Sequence, residues 1–421
     1  MDTFPRSVRP APDPLGLYFR AGSRDHTTLL QVLAERTPRI SGVVFDPCAE
    51  NPMRELPLEL TRRSMETILD SRGMEMAFSG PDLSRLAKLP WGAAEPDKPE
   101  VLRAPGGRAG QLVRGLADFV RHRPFSAILT PTHFLAGPDD PWFEVDRRLV
   151  WRLREQLDAG GRSGVLIYYL LGIPRSVFCN STAFARIVEL LATVPLDGVW
   201  LRIHPFGTKN AGPLSLRSYI ESARYLDELN APVVAERTGT VGVALLAFGA
   251  AGAIESGITV GESFDVRRWS RVRPGAKPFL PPPRVYISEL GIFLPPQLAK
   301  VFFENRHMKS SFACRNTDCC RRGAADMLAD PRHHFVLTRV REVSWLSGLP
   351  SFIRPAQYLE EHLRPASDLA VKAAKVDPRL ERDRDRIDAW RMTLGAMARE
   401  GVPERSARVP TGRRLQRRLG A

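Results

Sequence analysis

The chain is short of several things, and each shortage narrows what it can be. It has no apolar run of the roughly 18 residues that a membrane span needs, so no membrane association is expected. Its N-terminus, MDTFPRSVRPAPDP, has no apolar core of the kind a secretory signal carries, and a cytoplasmic location is expected. Cysteine is scarce: five in 421 residues, too few and too clustered for a disulfide framework. Acid is in deficit, with 47 Asp and Glu against 61 Lys and Arg, a formal charge of +14 and a pI near 10.0. Such an excess attracts polyanions by neutralising phosphates and releasing counterions, which makes DNA or RNA the expected partner. An Arg-rich proteome produces the same excess with no partner at all.

What is present is a rhythm. Short apolar runs alternate with amphipathic stretches for nearly 300 residues. The expected strands are 42–47 (GVVFDP), 74–80, 126–134, 164–173, 198–206, 231–239, 252–260 and 284–294. Helical spacing falls at 57–70, 109–122, 143–158, 182–194, 215–229 and 240–250. Runs that are apolar on both faces belong to parallel strands covered on both sides. Eight such units predict an α/β fold, a (β/α)8 TIM-like barrel, over residues 1–305. A doubly wound open sheet is the alternative; no Gly-rich phosphate fingerprint follows the first expected strand to support it. Residues 81–108 and 267–283 are rich in Pro and Gly and are expected as loops. A zinc-binding and helical extension is expected over 306–400, and a basic, disordered tail over 401–421.

The extension opens on CRNTDCC. Cys314, Cys319 and Cys320 lie within seven residues, and His333 and His334 follow. Three thiolates and one imidazole make a closed tetrahedral zinc site with a structural role, because no position is left for substrate. Adjacent cysteines reach one metal only if the backbone turns sharply between them. Either histidine can supply the fourth ligand. His334 is preferred, because it begins HFVLTRVREVSWL, whose Leu337, Val340, Val343 and Leu346 share a helical side.

Active sites of (β/α)8 barrels lie at the C-terminal ends of the strands. Polar residues at the expected ends are Asp46, Thr132, His133, Arg202, His204, Glu236, Arg237, Glu255, Glu262, Asp265 and Glu289. Each has a plainer explanation. Asp46 before Pro47 can start a turn, Asp265 can pair with Arg267 and Arg268, and His133 and His204 can be structural. Cys48 has no identifiable activating partner. The loop RRWSRVRPGAKP offers Arg267, Arg268, Arg271, Arg273 and Lys277 to phosphates and Trp269 to a stacked base.

A barrel followed by three cysteines, a histidine and a helix resembles the tRNA-guanine transglycosylase superfamily, which includes enzymes that place 7-deazaguanines in DNA. The family's zinc pattern is C-x-C-x-x-C, then a distant His opening a helix that carries a Glu. The counterpart here is CRNTDCC, then HHFVLTRVRE with Glu342; the spacing departs from the pattern while the order is kept. The family's D-S-G motif corresponds to Asp46, with Pro47 and Cys48 in place of Ser-Gly. Its F-D-x-V context corresponds to Phe264, Asp265 and Val266. The resemblance implies a structural Zn2+, a nucleic-acid substrate and a purine or 7-deazapurine base as second substrate. It also implies a covalent sugar intermediate on Asp265, with Glu255 and Glu262 as alternatives, and proton handling by Asp46. His133, Arg202, His204, Glu236, Arg267, Arg268, Trp269 and Arg271 are the expected substrate contacts. Base exchange needs one carboxylate to attack C1′ and another to move protons. The same pair serves glycosidic hydrolysis. A zinc-stabilised barrel that binds nucleic acid without catalysis is the other reading, and self-association or a partner subunit is compatible with all three.

Overall fold

The computed structural model describes residues 14–401 apart from 23, 36–37, 50, 81, 105 and 271–281. Eight parallel strands close on themselves: β1 (Gly16–Ala21), β2 (Gly42–Phe45), β3 (Glu66–Asp70), β4 (Ala127–Leu129), β5 (Leu166–Pro174), β6 (Gly198–His204), β7 (Val233–Glu236) and β8 (Ala253–Gly257). β8 returns to β1, with Gly16 beside Ala253 and Tyr18 beside Glu255. The protein is a (β/α)8 TIM barrel.

Helices α1 (Asp25–Glu35), α2 (Leu56–Arg62), α3 (Gly107–Arg121), α4 (Pro141–Ala159), α5 (Ser181–Leu191), α6 (Pro213–Ser222) and α7 (Val241–Ala247) follow the first seven strands in turn. The eighth position is filled by α8 (Pro331–Ser347), which packs between α7 and α1 and touches β1. Arg332 and His333 at its head reach Asp25 and Glu35 of α1, and Phe335 meets Phe19 edge to face. α8 therefore lies beyond the boundary expected at residue 305. The metal loop is an excursion inside the last β–α unit of the barrel. Helix α9 (Arg364–Val376) packs on α10 (Glu381–Glu400), and α10 lies against α6, where the Trp390 indole donates to the Ala211 carbonyl at 2.7 Å.

Alternation sorts the strand residues. Tyr18, Val44, Ile68, Leu129, Tyr168, Leu170, Trp200 and Val234 point into the barrel, and Leu17, Phe19, Val43, Leu69, Ile167 and Leu201 point to the helices. Each large side chain fully buried in this way stabilises the fold by about 1.5–3 kcal/mol.

Two expected strands are not barrel strands. Residues 74–80 form a short helix at Gly73–Met76 and a turn, since the chain leaves β3 through Arg72 at φ 59°. Residues 284–294 form an antiparallel hairpin outside the barrel, β9 (Val285–Ile287) and β10 (Ile292–Leu294), turned by Gly291 at φ 62°. Two true strands stand in their place. β1 lies upstream of the first expected strand, and β3 falls inside the expected helix 57–70, which ends at Arg62. The strand expected at 42–47 is the second of the barrel, not the first.

Candidate active site and metal centre

At the C-terminal end of the barrel the inward side chains change from apolar to charged. Arg20 of β1 stands among three carboxylates: Asp70 of β3 at 2.5 Å, Glu255 of β8 at 2.9 Å and Glu236 of β7 at 3.0 Å. Arg202 of β6 grips Glu236 with two contacts, of 2.6 and 3.0 Å. Arg72 bridges Asp46 at 2.9 Å and Glu75 at 3.3 Å, and Arg237 reaches Glu236 at 3.3 Å. The Trp200 indole donates to Glu255 at 3.4 Å. Asp70, Glu236, Glu255 and Arg202 are buried.

Shared cations drive these acids apart. Burial pushes Asp70 up, but Arg20, Arg202 and Arg72 overcome it and hold the carboxyl well below its usual range. Glu236 is likewise held down by Arg202, Arg20 and Arg237 against its burial. For Glu255 burial prevails: Arg20 offsets it only in part, and the charge of Glu236 pushes the same way as burial, so its pKa rises. An ionised Asp70 and a protonatable Glu255 thus sit on one guanidinium.

This cluster is roofed. Phe264 and Trp269 lie over Arg202, with ring centres 5.4 and 5.8 Å from its guanidinium carbon. Trp269 meets Phe264 at 5.1 Å and Phe78 at 5.4 Å, and Met74 closes the same side. Gly80 lies so close that a Cβ there would stand 1.6 Å from the Trp269 carbonyl oxygen. Trp269 is therefore buried roof, and not the exposed stacking face expected from its basic neighbours.

The remaining expected residues scatter. Asp46, just past β2, is held by Arg72 and by Arg85 at 3.3 Å. Asp265 accepts from Arg267 through backbone and side chain, and Arg267 holds its pKa down at about 2. The two share no partner. Glu262 is paired with Arg284, while burial pushes its pKa up. His133 is not on the rim: its Nδ1 meets Asp146 of α4 at 2.6 Å and its ring stacks on Trp142, behind the barrel wall. Thr132 is buried and donates to the Leu170 carbonyl. His204 ends β6 and stays at the rim, partly exposed. Arg267 and Arg268 are exposed; Arg271, Arg273, Lys277 and the tail from 402 lie outside the described residues. Arg20, Asp70, Arg72 and Glu75 were missed. An arginine at the fifth place of LYFRA's strand and an acid ending ETILD were the available signals.

On the β8–α8 connection, one donor atom from each of Cys314, Cys319, Cys320 and His334 lies within 4.8 Å of the others. The Cys319 and Cys320 amides both donate to the Asn316 carbonyl, at 3.1 and 2.7 Å. That tight turn sends two adjacent sulfurs, 3.5 Å apart, to one side. His334 Nδ1 is 3.4 Å from each. A tetrahedral zinc with about 2.3 Å to sulfur and 2.0 Å to nitrogen separates its ligand atoms by about 3.5–3.8 Å, so this donor set fits one ion. His334 Nε2 lies 3.0 Å from the Tyr286 carbonyl; as donor there it leaves Nδ1 free for metal. His333 instead pairs with Glu35 and is not in the cluster. Glu342, two turns along α8, accepts from the Tyr286 hydroxyl at 2.9 Å.

No protein-family profile matches the sequence. No curated protein matches it either. Similar solved structures are glycoside hydrolases. A GH26 β-mannanase from Bacteroides ovatus shares 11% identity over 62% of this chain and 85% of its own, with a TM-score of 0.37. A xylanase 10C variant from Cellvibrio japonicus bound to xylopentaose shares 12% over 59% of each chain, at 0.34. Xylanase 10B from Thermotoga petrophila RKU-1 bound to xylobiose shares 9% over 59% of this chain and 85% of its own, at 0.34. Likeness at this level carries nothing about chemistry.

Proposed function

We propose that the protein is a nucleic-acid base-exchange enzyme of the tRNA-guanine transglycosylase kind, working at the mouth of its barrel. The observation that carries this reading is the carboxylate pair on Arg20. Asp70, kept ionised, would attack C1′ of a sugar. Glu255, pushed toward its protonated form, gives a proton to the departing base and takes one from the incoming base. The order of the metal site supports the resemblance, with three cysteines, then His334 opening α8, then Glu342 on the same helix. Zinc would hold the β8–α8 connection in place; four protein ligands leave it no position for substrate. Reaction requires the Phe264–Trp269 roof to withdraw, and an extruded nucleotide to take its place at a cost of a few kcal/mol.

A second reading is favoured by one observation. Every carboxylate of the mouth already faces an arginine under a closed roof, as in a barrel that binds without catalysis. One assay separates them. Labelled DNA or RNA is incubated with a 7-deazaguanine, and base incorporation, base release and covalent adducts are followed on denaturing gels. Wild type is expected to incorporate the base. Asp70→Asn should abolish the adduct, and Glu255→Gln should slow base departure by about 10²-fold or more. Release without incorporation marks a hydrolase. No adduct, release or incorporation with either polymer overturns the enzyme reading and leaves the binding one.

A further inference from the structure

A cavity of about 510 Å3 opens beside the mouth, at the C-terminal ends of β5 and β6 and the first turns of α6. Its polar lining is Arg175, Ser176, Cys179, His204, Ser215 and Ser218, with Pro174, Pro205 and Leu214 as apolar walls. None of these residues is acidic. Arg20, Arg72, Arg202 and Arg237 are all taken up by carboxylates, whereas Arg175 on the same rim has no acidic partner among the described residues. It donates to the Ser215 hydroxyl, at 2.7 Å. A second cavity, of about 270 Å3 below the β9–β10 hairpin, differs in kind: Glu262, Asp377 and Asp383 there stand among Lys209, Arg284, Arg379 and Arg386.

His204 lines the cavity and anchors the roof segment. Its Nδ1 accepts the Val266 amide at 3.2 Å, and burial holds its pKa below the ordinary histidine value. The Phe264 backbone also bonds this ring, so His204 is engaged with the roof segment. A guanidinium and serine hydroxyls, with no carboxylate among them, match the oxygens of a phosphate group. A volume of this size also holds the attached sugar.

We propose that this cavity binds a backbone phosphate of the nucleic-acid substrate, one of those flanking the nucleotide that enters the mouth. The assignment rests on the mouth being a nucleic-acid site. It also links substrate to the roof, since His204 holds Val266 and lies 3.6 Å from Asp265, between Phe264 and Trp269 in the chain.

The test is direct binding by the full chain, so it does not depend on turnover. Probes are a short single-stranded oligonucleotide, the same oligonucleotide with uncharged methylphosphonate linkages, and inorganic phosphate. Arg175→Ala should weaken the charged oligonucleotide about tenfold and flatten its log K against log salt slope by about 0.7, one phosphate contact's worth. Arg175→Lys should retain most of the affinity, which guards against a folding defect in the alanine variant. The methylphosphonate probe should bind both proteins alike. Equal affinity and slope for wild type and Arg175→Ala overturn the proposal. Arg175-dependent binding of inorganic phosphate, with the oligonucleotide unaffected, overturns the backbone assignment in favour of a small phosphate ligand. Should Arg175 matter for binding while wild type exchanges no base, the phosphate site stands and the enzyme reading alone falls.

Discussion

Glu66 sits on the floor of the barrel with no cation among the described residues to meet it. The hydroxyls of Tyr168 and Tyr18 donate to it, at 2.8 and 3.3 Å. Burial pushes its pKa up to about 7, and the two hydroxyls only moderate that rise. The sign of the consequence follows from proton counting. Between the unfolded carboxyl's range and pH 7 the folded chain binds a proton that the unfolded chain has lost, so stability falls as pH rises across that window and levels off above it. The fall amounts to about 3 kcal/mol. Glu66→Gln keeps an acceptor and a donor but cannot ionise. Melting curves from pH 5 to 8 should show a smaller decline for the variant, with the variant the more stable of the two at pH 8. Parallel curves would refute the claim. The same burial explains what was legible residue by residue. His334 could be read in the sequence because its partners are three nearby cysteines. Arg20, Asp70 and Glu66 gave only faint signals, because a charge inside a barrel is satisfied by strands far away in the chain.

The eighth β–α unit shows the same contrast at the level of elements. α8 is legible, with its apolar spacing and Asp330 capping the His333 amide at 3.1 Å. Its membership of the barrel is not legible, because the metal loop and β9–β10 separate it from β8. The strand count reached eight through offsetting errors. β1 and β3 carry inward charges that break the apolar run, while 74–80 and 284–294 are apolar for other reasons, as roof and as hairpin. The metal centre belongs at this scale, since it ties α8 to the hairpin through the Tyr286 carbonyl. His334→Ala should abolish stoichiometric metal, and His333→Ala should leave one ion per chain by elemental analysis. Chelation should lower the melting temperature of wild type by several degrees and do nothing further to His334→Ala, because metal binding at such sites is coupled to local folding. Equal metal in both variants would reject this ligand set.

The whole molecule carries +14, and no helix among the described residues is long and apolar enough to cross a membrane. Arg267 and Arg268 stand exposed on the outside of the roof segment whose Phe264 and Trp269 face inward. Binding of single-stranded nucleic acid should therefore weaken steeply with salt. Replacing both arginines by alanine should reduce the slope of log K against log salt by up to about 1.4, two contacts' worth. An unchanged slope in a fluorescence titration places the contact surface elsewhere.

The pairing of Gly16 with Ala253 has a further consequence, for a chain still on the ribosome. Until residue 253 has emerged, β1 and the newest strand both present open edges, the condition under which sheets join the wrong partner. Arg20 spans that interval. It meets Asp70 early, but Glu236 and Glu255 arrive only with the last two strands. A ring that shut one strand short would keep Arg20 on Asp70 and Glu236 but lose its contacts to Glu255. The full set of charge pairs at the mouth is thus completed only when the eighth strand closes on the first.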